Sequence, residues 1–220
     1  ILLGVAESAW GDSPPVRILD LPGSGTDPTT IDYDKLPRIE GALSVVSPAA
    51  IHPSFADPQP AAYGQLAFQL HSYLLYHDGR YWCLWSQGPP VEDEPTQEVR
   101  YATSLDGRTW SASQSVTGTP QAPYAFIARG LWVRNGELLA LAAHFKGKGA
   151  FGTDKELELR AYVWNPAQER WTFKQTLAEN AINNFPPQKL PTGDWILTRR
   201  DARFNVSVLI GGQKSLDDWQ

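Results

Sequence analysis

Two histidines and two arginines stand at matched distances from glycines that sit in turn-forming sequence. His71 lies eight residues before Gly79, Arg129 seven before Gly136, His144 eight after Gly136 and Arg200 seven after Gly193. Gln87 and Asp201 each lie eight residues after their own glycine. Two guanidinium groups can clamp a carboxylate through paired hydrogen bonds, which lysine does less well. A neutral imidazole can take or return a proton near neutral pH. Tyr124, shortly before Arg129, adds a phenol that can donate one. His71, His144 and Tyr124 are therefore the candidate catalytic residues, and Arg129, Arg200, Gln87 and Asp201 the candidate binding residues. Adjacent offsets point to opposite sides of a strand. Only one of Arg199 and Arg200 can face a shared site, and Arg200–Asp201 can equally be a structural ion pair.

The elements that must position these side chains come from an internal repeat. Gly79, Gly136 and Gly193 recur at equal intervals of 57 residues. Each sits between two largely apolar, strand-like runs: 71–85, 129–143 and 187–200. Asp78-Gly79 and Asn135-Gly136 are strong hairpin signals, because both central positions of the tight turn need φ > 0. Thr192-Gly193 fills the same place less typically. Each hairpin is followed by a further strand and a second turn that ends on tryptophan: Ser104–Trp110, Asn165–Trp171 and Ser215–Trp219. Four short strands repeated at this length make a propeller blade. The expected fold is all-β, a β-propeller of four-stranded blades with six or seven in the intact protein. This chain is then a fragment of about three to four blades, with three over 63–112, 122–174 and 180–220. Residues 1–62 read as an irregular, proline-rich segment in which 16–21 forms an outer strand of a preceding blade. In such a repeat the innermost strand begins, and the second strand ends, at one rim, which gathers His71, Gln87, Arg129, His144, Arg200 and Asp201.

Composition agrees. Nine tryptophans, eight tyrosines, eighteen glycines and eighteen prolines in 220 residues suit many short strands and tight turns. The net charge of −5 argues against broad nucleic-acid binding. No apolar run approaches a membrane span. Cys83 lies in the apolar run Tyr81–Trp85, reads as a buried structural thiol, and leaves no internal disulfide. No His/Cys/Asp cluster has metal-ligand spacing, and no cofactor is called for. His77, beside the first hairpin turn, reads as solvated. No signal peptide is visible in the chain, whose two ends read as cuts in a longer protein.

Ser104-Leu-Asp106-Gly107-Arg-Thr109-Trp110 resembles the Asp-box of sialidases and related propellers, one residue shorter than its usual form. That resemblance implies a structural turn far from any active site, in which Asp106 bonds backbone amides and Trp110 packs between sheets. Leu70–Tyr73, Gly79–Ser86, Gln97–Ser104 and Asn184–Gly193 resemble sialidase-like propellers that include ulvan lyases and rhamnose–glucuronate-cleaving enzymes. This second resemblance covers roughly residues 66–220. It implies a secreted or periplasmic enzyme and an acidic oligosaccharide or polysaccharide as partner. Its implied reaction is β-elimination: Arg129 and Arg200 clamp a uronate, His71 removes the proton at C5, and His144 or Tyr124 protonates the leaving oxygen. The arginine-isoleucine-proline motif of true sialidases is absent.

Two other readings stand beside elimination. An exo-acting glycoside hydrolase of sialidase or rhamnosidase type needs paired carboxylates or a tyrosine–carboxylate pair. Asp201 is the acidic residue this register places on the rim, and the run Glu92-Asp93-Glu94 reads as a solvated loop that can contribute another. A non-catalytic glycan-binding propeller would use Trp82, Trp85 and Trp132 as stacking platforms, although such tryptophans also suit an inter-sheet core.

Overall fold

A computed structural model describes residues 41, 43–47, 68–89, 91–147 and 156–220, and every described strand belongs to an antiparallel sheet. The expected irregular segment over 1–62 and its strand at 16–21 lie outside the described residues, apart from positions 41 and 43–47. The first sheet runs in the order β1 (Phe68–His77), β2 (Arg80–Gly88), β3 (Glu98–Ser104), β4 (Gln114–Ser115). The second runs β5 (Tyr124–Arg134), β6 (Glu137–Lys146), β7 (Glu158–Asn165), β8 (Arg170–Glu179). The third holds β9 (Gln188–Lys189), β10 (Trp195–Arg200) and β11 (Val206–Gly211). Beside β11, Ile210 and Gln220 exchange backbone hydrogen bonds at 2.9 Å, in the position of a fourth strand. The fold is a β-propeller of four-stranded blades, and these are successive blades of it. Among the described residues no helix is long and apolar enough to cross a membrane.

The turn glycines do what their spacing predicts. Asp78 and Gly79 have φ of 50° and 74°, and Asn135 and Gly136 have 52° and 81°, the paired left-handed geometry of a two-residue hairpin. The third hairpin differs. Lys189 pairs with Trp195, so the chain spends residues 190–194 on the turn, and only Gly193 has positive φ (94°). Threonine resists the left-handed conformation that a tight turn needs at its first central position. The wider turn leaves β9 two residues long.

A second regularity was not visible as a motif. Leu70 pairs with Ser86 and Tyr73 with Leu84, so His71 and Ser72 together oppose Trp85 in a β-bulge. In the next sheet Ala128 pairs with Ala142 and Gly130 with Leu141, which makes Arg129 the extra residue. Measured from the turn, the two bulges fall at the same place on the first strand of each sheet. Bulges bend a strand and re-aim a side chain. Both His71 and Arg129 are delivered by one.

The tryptophans form the core between sheets. Trp82, Trp85 and Trp132 are 2–3 % exposed, so they are not open stacking platforms. Trp82 lies 5.9 Å from Trp171 and 5.0 Å from Trp164, and Tyr101 lies 5.8 Å from Trp171. Each tryptophan that ends an outer turn packs against residues that precede its own outer strands: Trp110 with Cys83, Trp85 and Val46, Trp171 on Trp82, and Trp219 on Trp132. Removing one of these side chains costs about 3–5 kcal/mol. Cys83 is buried, and burial pushes its thiol up to about 11, so it is an inert core residue. In the Ser104–Trp110 turn, Asp106 Oδ1 accepts the amides of Arg108 and Thr109 at 2.8 and 2.7 Å, and these bonds hold its carboxyl down at about 2. That turn is structural.

Candidate functional site

His71 owes its place to the β1 bulge, where its backbone takes φ 58°, a conformation costly for a side chain of this size. Its ring is anchored by Ser86 on β2. Ser86 is fully buried, and its Oγ accepts the amide of Ala128 in the next sheet at 2.9 Å. Nδ1 of His71 lies 3.4 Å from the same oxygen. Nε2 faces Glu92 Oε1 at 3.6 Å. Burial, aided by the Arg129 charge, lowers the imidazole to about 4, so the ring is neutral at neutral pH.

Arg129 is 7 % exposed, on the β5 bulge. Its guanidinium donates to the phenol of Tyr73, and Tyr73 Oη donates onward to the Asn184 carbonyl at 3.4 Å. Its backbone carbonyl accepts Nδ2 of the fully buried Asn183 at 3.0 Å. Burial pulls Arg129 below the usual guanidinium value, opposed by Tyr73 and Asp93 and reinforced by Arg200. Arg200 ends β10, where its backbone exchanges hydrogen bonds with Ile182 at 2.8 and 3.0 Å. Its guanidinium lies 4.5 Å from the centre of the Phe204 ring, a cation–π contact. Asp93 and Asp201 provide the negative charges that act on it.

The loop after β2 completes the cluster. Asp93 is half-buried with φ 63°. Its Oδ1 is shut away from solvent, and no donor among the described residues reaches it. Burial and then the Glu92 charge raise its carboxyl to about 6, against the pull of Arg129 and Arg200. The acidic run therefore does not read out as a purely solvated loop. Gly147 lets it approach, since a Cβ there would sit 2.9 Å from the Asp93 carbonyl oxygen.

His71, Arg129 and Arg200 thus share one electrostatic neighbourhood with Asp93 and Glu92. Of the other predicted residues, Asp201 acts on Arg200 through its charge, and His144, Tyr124 and Gln87 make contacts of their own. His144 pairs with Phe126 and Glu158, and its ring stacks on Tyr124 at 4.8 Å. Burial, then Arg160, lowers it to about 4, and the opposing charges are Glu158 and Glu156. Tyr124 Oη donates to Glu156 at 2.7 Å. These form a second cluster around the end of β6. Gln87 accepts Trp85 Nε1 at 3.1 Å, on the strand face opposite Ser86. Asp201 accepts the amides of Arg203 and Asn205 at 2.8 and 2.9 Å and closes the β10–β11 turn. His77 lines a separate cavity of about 310 Å³ at the turn end of the first two sheets. Counting from the glycines passed over Asp93, Tyr73 and Asn183. Ser86 was at a counted offset, but as a small residue it carried no signal. Among the described residues no three His, Cys, Asp or Glu side chains gather closely enough to hold a metal ion.

Gly130 sets how near the third sheet comes to Arg129. Its φ is 127°, and a Cβ would lie 2.7 Å from Pro186 Cβ. Gly130→Ala is expected to lose about 1–3 kcal/mol in chemical denaturation, through backbone strain and the displaced Pro186. Gly79→Ala meets nothing within 4 Å and carries only the conformational cost.

No protein-family model matches the chain, and no curated protein matches it. Solved structures do. A mutant of Trypanosoma rangeli sialidase displaying trans-sialidase activity superposes with a TM-score of 0.50 at 12% identity, over 70% of this chain and 30% of that one. Zg3597, a family 117 glycoside hydrolase of the marine bacterium Zobellia galactanivorans, gives 0.49 at 16% identity over 67% of this chain and 52% of that one. The native Bacillus subtilis arabinanase gives 0.44 at 15% identity over 68% and 52%. The chain spans about half or less of the length of these structures. What the likeness shows is the fold, a β-propeller.

Proposed function

We propose that this chain carries catalytic residues of a carbohydrate-active propeller that hydrolyses a glycosidic bond next to an anionic group of its substrate. The observation that carries this reading is the Asp93 carboxyl, raised to about 6 beside Glu92 and within the fields of Arg129 and Arg200. A carboxylic acid that keeps its proton close to neutral pH is what a leaving glycosidic oxygen needs. Two carboxyls flanking the scissile bond are the usual requirement for this reaction. Asp93 gives its proton to the leaving oxygen as the C–O bond breaks. Glu92, faced by the His71 ring at 3.6 Å, takes a proton from the water that bonds to the anomeric carbon. Arg129 and Arg200 hold the substrate's anionic group, a uronate or a comparable sugar acid. That group brings a further negative charge near Asp93 and raises its carboxyl again, so binding arms the acid.

The experiment is product analysis on uronate- and sialate-containing oligosaccharides beside neutral counterparts. Saturated reducing sugars are expected. An unsaturated product absorbing in the ultraviolet would replace hydrolysis with elimination. Binding without turnover, unchanged in His71→Ala, would replace it with a lectin-like role.

A further inference from the structure

Gln97 is fully buried and polar, and no step above uses it. Its side-chain amide spans two sheets. Nε2 donates to the Phe126 carbonyl of β5 at 2.9 Å, and Oε1 accepts the backbone amide of Asp93 at 3.2 Å. Its backbone reinforces both ties, with Gln97 O accepting Phe126 N–H at 2.8 Å and Gln97 N donating to Glu94 O at 3.3 Å. Thr96 N donates to the Tyr124 carbonyl at 2.9 Å. Gly88 closes the other side, where a Cβ would lie 2.9 Å from Gln97 Cβ. The turn held this way is strained, with φ of 63° at Asp93 and 78° at Thr96. A non-glycine left-handed backbone persists only where its surroundings over-determine it.

We propose that Gln97 is a positioning residue, a buried amide clamp on the seam between the first two sheets that holds the Asp93 backbone and so fixes its carboxyl against Arg129 and Arg200. The catalytic half of this inference rests on Asp93 being the acid; the clamp itself does not. The charged groups around Asp93 are Glu92 on its own loop, Arg129 on β5 and Arg200 on β10, with His71 of β1 beside Glu92. None of them changes when Gln97 is replaced.

The experiment is a carboxyl-carbon NMR titration of Asp93 in the wild-type chain, Gln97→Met and Gln97→Glu, with kcat and KM measured alongside. Methionine keeps the volume and loses both bonds, so the released carboxyl is expected to titrate lower, toward the ordinary aspartate value of about 4. Glutamate keeps the acceptor for Asp93 N–H and, protonated by burial, keeps a donor for the Phe126 carbonyl, so the same carboxyl is expected to titrate close to the wild type. A shift in one variant and its rescue in the other are a signature that general destabilisation does not produce. In Gln97→Met, kcat is expected to fall about 10–100-fold with KM within a few-fold, the pattern of a misplaced acid. Unchanged Asp93 titration in both variants overturns the proposal. So does fast hydrogen exchange of the Asp93 amide in the wild type, a measurement that needs no variant to fold. If Asp93→Asn stays active, the reading of the acid fails while the titration still decides the clamp.

Discussion

Asp93→Asn is expected to lower kcat by about 10²–10⁴-fold while leaving KM within a few-fold, because the amide keeps the shape of the acid and cannot give up a proton. In the wild type the rate should decline above a pH near 6, where free Asp93 deprotonates, and saturating substrate should move that limb upward. The variant should lose the limb. The same carboxyl makes an opposite prediction for stability. Its native value is raised above the usual 3.8, so its contribution is fully present below about pH 4 and is lost as pH rises through about 6. At pH 7 the native state holds a half-buried charge that the unfolded chain does not. Asparagine removes that cost, and Asp93→Asn is expected to unfold at higher urea than the wild type at pH 7, by about 1–2 kcal/mol after allowing for solvent screening. A variant that keeps its rate and its basic limb would remove Asp93 from the chemistry.

The second large effect is expected at Arg129. It is buried, tied to Tyr73, and supported through its backbone by Asn183. Arg129→Lys keeps a positive charge and gives up the planar fork. On a substrate with a carboxylate, kcat/KM should fall about 10²–10³-fold, the range of about 3–4 kcal/mol for truncating one partner of a desolvated charge pair. On a neutral counterpart the loss should stay below about tenfold. Arg129→Met separates charge from geometry: the Arg129 charge helps to hold the imidazole near 4, so its removal should let His71 titrate higher. Equal losses on charged and neutral substrates would show that Arg129 holds the fold and not the ligand.

How far the sequence could be read depended on whether a residue's role was local. Asp78-Gly79 and Asn135-Gly136 fix their hairpins through backbone conformation alone, so the pairing of two hairpins, up to their bulges, followed from four residues. Thr192-Gly193 lacks one of those residues, and there the register slipped. His71, Arg129 and Arg200 came together because counting from a turn locates a strand end. His144 was counted the same way, and its ring packs on Tyr124 and Phe126. Position along β6 does not say which ring will cover a side chain, and Tyr124 and Phe126 cover this one. Asp93 was the least legible. An acidic run beside prolines has the local signature of a solvated loop, and what buries it is Gly147 and the Gln97 clamp across a sheet boundary. The bulges were hidden for the same reason: only pairing with β2 and β6 shows that one residue is extra.

The outer-turn tryptophans carry a consequence for synthesis. Trp171 closes the outer turn of the second sheet, yet the aromatic cluster it completes includes Trp82 and Tyr101 of the first. Trp219 stands in the same relation to Trp132. The cooperative unit is therefore out of phase with the sequence repeat, and it straddles two sheets. On the ribosome, every strand of the first sheet can emerge and pair while Trp82, Leu84, Val99 and Tyr101 still face water. Closure waits until translation has passed Trp171, and at a few residues per second that interval lasts for seconds. During it the nascent chain offers an open aromatic face to chaperones and to other nascent chains.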